Sequence, residues 1–232
     1  MSDPGTNRGA AARRTRREAP GPQVPEPAVA AHLDQVGVGG LGALVVDAAD
    51  LTGLDLAGAE LAEVQVEASA LDRLHGAGGR WRGVTLVDCR LDGADLANLR
   101  AQDLSLVRCS LREVRLTGAQ LAGARLRAVR LDGARASLTS WREAVWQHVV
   151  LRGCDLTEAD LTGASLSDVL LVDCDLSGAQ LAGLRCERVR LEGCRLSGIS
   201  GVGGLRGASV TEADAYALLP TLLREAGLTV HG

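Results

Sequence analysis

Every fifth residue from Leu41 to Gly201 is apolar or small, and the register never slips. Of these 33 positions 23 are Leu; the others are Val46, Val66, Gly76, Trp81, Ala101, Ala136, Trp141, Trp146, Cys186 and Gly201. Two residues before each comes a second apolar or small residue, as at Ala49, Leu54, Val64, Cys89, Ala94, Cys109, Val114, Ala159 and Cys174. The positions between are mostly polar or Gly. A helix face would recur near 3.6 residues and a strand face at 2, so neither regular element explains the pattern. A period of five with two inward residues describes a chain that turns a corner every five residues. Gly two places after the Leu, as at Gly53, Gly93, Gly133 and Gly163, fits a turn that favours a permissive backbone.

Ala-Asp-Leu-Thr-Gly recurs at 49–53 and 159–163. At these residues the sequence resembles the pentapeptide-repeat family, whose pattern is A-(D/N)-L-x-x, and the resemblance extends over residues 36–203. It implies an all-β solenoid: a right-handed quadrilateral β-helix of about eight coils, each of four pentapeptides, with neighbours ~4.8 Å apart and a rod of roughly 39 Å. A longer period supports this independently. Cys89 and Cys109 lie one such 20-residue coil apart, as do Cys154, Cys174 and Cys194, and Val129, Val149, Val169 and Val189. Gly76 precedes Trp81 as Ala136 precedes Trp141, so a small residue on one face accompanies a large one on the next, as a narrow interior requires.

The chain divides into residues 1–27, a repeat region 28–203 and residues 204–232. The first segment holds Pro4, Pro20, Pro22, Pro25 and Pro27, five Arg and almost no large apolar side chain, and is expected to be disordered. Its Arg13–Arg17 run lacks the apolar stretch of an export signal, so a cytoplasmic location is expected. Its net charge of +2 is weak for a nucleic-acid arm. In the last segment Thr211 reads as a helix N-cap, with Asp214 in place of the usual Glu. Pro220 is expected to kink or divide the helix, and Gly227 to cap its end. The helix should cover the last coil. In family members that dimerise, C-terminal helices often form the interface, so the resemblance also implies a homodimer through Leu218, Leu219, Leu222 and Leu223.

Chemistry is sparse. The chain has no Phe, one Tyr and three Trp although 46% of it is hydrophobic, which excludes aromatic base-stacking platforms. Arg without any Lys, beside abundant Ala and Gly, reads as a high-GC bacterial coding bias. No apolar run reaches the ~18 residues of a membrane span. Five of the six Cys sit at small inward positions and Cys186 at a Leu position, so they read as reduced core residues. With no Cys-x-x-Cys and four scattered His, neither a metal nor a cofactor is expected, and a rod without a deep pocket is not expected to be an enzyme.

Charge is banded along the chain. Residues 34–72 carry eight acids and no Arg, residues 100–135 eight Arg against Asp103, Glu113 and Asp132, and residues 155–175 six acids and no Arg. Some family members are dimeric rods that resemble duplex DNA and bind type II topoisomerases such as DNA gyrase, protecting it from quinolones or inhibiting it. A duplex of ~39 Å would carry roughly 23 charges. Residues 34–201 carry a net −5, so mimicry fails on average and survives only in the acidic bands. The expected function is a non-enzymatic protein-interaction scaffold; the alternative is a DNA-mimic modulator of gyrase. In either case the candidate contacts are Asp50, Asp55, Glu60, Asp155, Asp160 and Asp175. Direct nucleic-acid binding by the central Arg band is disfavoured by its acidic flanks and by the lack of a base-reading element.

Overall fold

The computed structural model describes residues 21–29, 34–35 and 42–228. From Gly42 to Glu192 short strands pair in parallel with the segment 20 residues further on, as Val145–Arg152 pairs with Ser165–Val172 through Val145↔Ser165 and Leu151↔Leu171. The result is a parallel β-solenoid of about eight turns closed by one C-terminal helix. Each coil donates to the next: the Leu51 N–H meets the Ala70 carbonyl at 2.7 Å and the Leu71 N–H that of Arg90 at 2.7 Å. The backbone's polar groups are thus consumed between coils, so only the two ends present open edges.

Four faces follow from this register, centred on the columns that begin at Leu51, Leu56, Leu61 and Val66. The corners between them are uniform. Every fifth residue from Ala48 to Gly198 has φ between 47° and 73°. Gly was expected there, yet more than half of these corners are other residues, among them Arg73, Leu138 and His148. Coil-to-coil bonding on both sides of each corner imposes the left-handed conformation whatever side chain it carries.

The columns read from the periodicity form one continuous core. Ala49, Cys89, Leu91, Val129, Leu151, Leu156 and Leu196 are fully buried, and Leu111 is 2% exposed. A Cβ added to Gly76 would lie 3.1 Å from the Trp81 ring, so the small residue does make room for the large one. Trp141 and Trp146 meet edge to face, with ring centroids 5.1 Å apart. The three indole N–H groups are buried without a hydrogen-bond partner among the described residues, a cost the apolar interior outweighs. The six thiols are unbridged. Buried thiols donate to carbonyls, as Cys109 Sγ does to Leu86 and Val107. The hydrogen bond with the Cys154 thiol, aided by burial, pushes Cys174 up to about 12, and burial pushes Cys186 up to about 11.

At the C-terminal end a 3-10 turn, Val202–Leu205, lies on the last coil, and helix α1, Glu212–Glu225, crosses it. Thr211 is the N-cap, accepting from the Asp214 N–H. The Asp214 carboxylate accepts from the Thr211 hydroxyl at 2.7 Å and from the Gly193 N–H at 3.0 Å. At the far end Glu225 accepts from the Gly201 and Val202 N–H groups. The helix terminates at Gly227 (φ 72°), whose N–H bonds Arg224 while Leu228 reaches back to Leu223, the Schellman pattern. The expected division at Pro220 does not occur: the helix runs unbroken through it, held from both ends by these carboxylate bonds.

Residues 21–28 of the N-terminal segment lie against the rod. The run with Arg13–Arg17 is outside the described residues. Val24 is 6% exposed and packs on Val150 and Leu170, two outward residues of the first face. Glu26 pairs with Arg130 at 2.6 Å and Arg112 at 3.3 Å, and the Ala28 N–H reaches Asp88 at 3.4 Å. The apolar surface at this contact is supplied by the rod, through Val150 and Leu170, with Val24 alone from the segment.

Candidate functional site

The outward side chains are the chemistry this fold offers, and the register decides which of them share a face. The candidate acids do not gather. Asp50 heads a column of the first face that continues Ala70, Arg90, Ser110, Arg130. Asp55, Asp155 and Asp175 lie on the second face, in a column that reads Asp55, His75, Asp95, Arg115, Arg135, Asp155, Asp175, Arg195. Glu60 and Asp160 lie on the third, separated by Arg80, Arg100, Gln120 and Ser140. Of the six, only Asp155 and Asp175 are stacked neighbours. An acidic band of one coil's length in sequence is a ring around the rod, not a stripe along it.

Nor are these acids merely solvated. Where Asp directly precedes the Leu of these repeats, its Oδ1 accepts the N–H two residues on: Asp50 from Thr52, Asp55 from Ala57, Asp155 from Thr157, Asp160 from Thr162 and Asp175 from Ser177, at 2.9–3.0 Å. These are Asx turns that hold the coil as it leaves each strand. Hydrogen bonds from Thr52 hold Asp50 below its ordinary pKa. Partial burial works against ionisation of Asp160 and Asp175. Bonds from Thr162 and Arg142, and from Ser177 and Arg195, outweigh it and leave both lowered.

Arg from a neighbouring coil offsets much of the negative charge. Glu60 pairs with Arg80, Asp160 with Arg142 and Asp175 with Arg195. Asp72–Arg90, Asp88–Arg108, Asp95–Arg115 and Asp168–Arg188 repeat the arrangement elsewhere. An open groove of 710 Å³ lies on the third face, lined by Glu60, Arg80, Arg82, Arg100 and Gln102 and floored by the coil at Trp81. Among the described residues no group of His, Cys, Asp and Glu is placed to hold a metal, and no helix is long and apolar enough to cross a membrane.

The candidate dimer residues separate as well. Leu218 is 7% exposed and packs into the end of the core, so it is not available to a partner. Leu219 and Leu222 are exposed, Leu223 is half-buried, and Tyr216 joins them as the most exposed large side chain of α1.

A coil stacked on itself at a fixed register, with an interior of Leu columns and an exterior of polar columns, defines a β-solenoid repeat protein. The family model described as pentapeptide repeats, in eight copies, matches residues 89–133, 109–140, 130–168 and 159–198. Residues 89–198 of the chain are thus pentapeptide repeats of that family. Among solved structures it is similar to full-length QnrB1, a plasmid-mediated fluoroquinolone resistance protein: 18% identity, 77% of this chain and 98% of that one covered, TM-score 0.36. It is also similar to HetL, a pentapeptide repeat protein involved in heterocyst differentiation regulation from the cyanobacterium Nostoc sp. strain PCC 7120, at 22% identity over 73% of this chain and 88% of that one, TM-score 0.29. Rfr23 from the cyanobacterium Cyanothece 51142 matches at 27% identity over 41% and 62%, TM-score 0.23. No curated protein matches the sequence.

Proposed function

We propose that this chain is a non-enzymatic protein-interaction scaffold of the bacterial cytoplasm. The observation that carries the reading is the arrangement of the outer columns: backbone polar groups are spent between coils, and side chains project at a fixed spacing from four flat faces. Such a surface supports recognition by side chains along an extended contact. The DNA-mimic reading is weaker. Duplex DNA presents one negative charge per ~1.7 Å without interruption, whereas the acids here are interrupted by His and Arg along the second face and pair with Arg elsewhere.

The two readings separate in one set of measurements. Tagged protein is used to capture partners from its native host, and the same preparation is titrated into a gyrase supercoiling assay. A saturable protein partner with no effect on supercoiling is expected. Inhibition or protection of gyrase that is lost on charge reversal at Asp50, Asp55 and Glu60 would overturn the scaffold reading in favour of the mimic.

A further inference from the structure

The first face breaks the rule that outward residues are polar. Val150, Leu170 and Val172 point outward there on adjacent coils, with Arg112, Arg130 and Arg152 beside them. Residues 21–28 lie across this patch along the rod axis. Gly21 sits over Leu170, Val24 is buried against Val150 and Leu170, Glu26 meets Arg130 and Arg112, and Ala28 reaches Asp88.

The contact is made in a particular way. The coils have used their own N–H and carbonyl groups, so no strand can be added to this face, and among the described residues no backbone–backbone hydrogen bond ties 21–29 to it. Recognition rests on one buried apolar side chain, one acid and the Val24 carbonyl, which accepts from Arg130 Nη2 at 3.2 Å. Pro22, Pro25 and Pro27 hold the segment extended before it docks, which lowers the entropy lost on binding. The fit is incomplete. A cleft of 370 Å³ persists between segment and face, lined by Gln23, Val24, Arg130, Val150, Arg152 and Leu170, and Arg130 Nε is buried without a hydrogen-bond partner among the described residues.

We propose that this face is a docking surface for an extended partner segment in which an apolar residue is followed, across a Pro, by an acid, and that residues 21–28 are its tethered resident competitor. This rests on the scaffold reading and names the partner's chemistry and the device that regulates its access. The Glu26 ion pairs are exposed and a single Val is buried, so the resident contact is weak and is favoured by its tether rather than by its affinity. A partner carrying the same elements, together with a donor or acceptor for the empty cleft, displaces it.

The test uses the full chain and a synthetic peptide of residues 20–29. Val24→Asp/Glu26→Arg releases the resident segment while leaving every coil residue in place. Methyl resonances of Val150, Leu170 and Val172 are followed during titration with millimolar peptide. Saturable shifts are expected in the released variant, with an apparent affinity at least about tenfold tighter than in the wild type, and none with a peptide carrying the same two substitutions. Glu26→Arg alone is the milder second variant and should give a smaller gain of the same sign. Equal binding to wild type and both variants, binding of the substituted peptide, or no binding to either variant overturns the proposal. Such a failure removes this surface alone; the scaffold reading is decided separately by the capture and supercoiling measurements.

Discussion

At the residue scale the corners dominate. L-residues held at positive φ cost about 1–2 kcal/mol each, and this solenoid carries them at Ala68, Arg108, Glu143 and many other corners. The cost is met by the paired coils on either side. Two substitutions read it directly. A Cβ at Gly53 would meet nothing within 4 Å, so Gly53→Ala should lower stability by about 1 kcal/mol through conformation alone. Leu138 has φ 58° and is 55% exposed, so Leu138→Gly should leave the melting temperature unchanged or slightly raised, relief at the corner slightly exceeding the entropy lost with Gly. A clear drop in the thermal melt of Leu138→Gly would contradict this account.

The thiols make a second prediction at this scale. Cys174 and Cys186 titrate at about 12 and about 11 in the folded chain, against 9.0 for an ordinary thiol. The unfolded chain therefore releases these protons first. Stability from this source is intact below about pH 9 and is lost as pH rises from there through about 11–12. Melting temperature followed from pH 8 to 11 should be level and then fall, and Cys174→Ala should flatten the fall. An unchanged slope in that variant would place the alkaline loss elsewhere.

At the scale of the elements, helix α1 matters for how it is fastened. Asp214 makes three hydrogen bonds to two groups: its carboxylate accepts from the Thr211 hydroxyl and from the Gly193 N–H of the last full coil, and its own N–H donates to the Thr211 oxygen. Removing the carboxylate leaves the Thr211 hydroxyl and the Gly193 N–H without their acceptor and unties the start of the helix from the coil, while the Asp214 N–H keeps its bond to Thr211. Asp214→Ala should therefore cost about 1–3 kcal/mol and uncover the end of the rod. A lower melting temperature with concentration-dependent scattering is the expected signature, because an uncovered coil is a pairing edge. Leu219→Ala, on the exposed side of the same helix, should change the monomer's stability little, and if both variants melted alike the cap would have no such role.

At the scale of the whole molecule, α1 has two sides with different duties. Leu218 and Thr221 close the core, while Tyr216, Leu219 and Leu222 form an outward apolar stripe three residues apart. A stripe of this kind on a solenoid end fits a second copy of the chain. We expect a homodimer, dissociated by Leu222→Glu/Leu223→Glu without loss of the fold. Light scattering on both proteins checks it, and a wild type that stays monomeric at high micromolar concentration refutes it. Leu111→Asp, by contrast, places a carboxylate inside the all-Leu column and should abolish folding, since an unpaired buried charge costs as much as a domain's whole stability.

What the sequence determined by itself is everything that repeats. The inward columns, the 20-residue coil, the Gly76–Trp81 accommodation and the Thr211 cap were legible because each depends on neighbours at a fixed, short separation along the chain. Even the outward patch left a trace, since Val150, Leu170 and Val172 stand where polar residues prevail. Only the tertiary structure decided the rest. Coiling turned acidic bands into rings, set Asp88 against Arg108 and Asp168 against Arg188, and directed Leu218 inward while Leu219 faced out. It also brought Val24 to Leu170 and Glu26 to Arg130, contacts between segments more than a hundred residues apart. A periodic pattern fixes which way each side chain points. It carries no information about which distant segment will find an apolar patch that the pattern leaves on the outside.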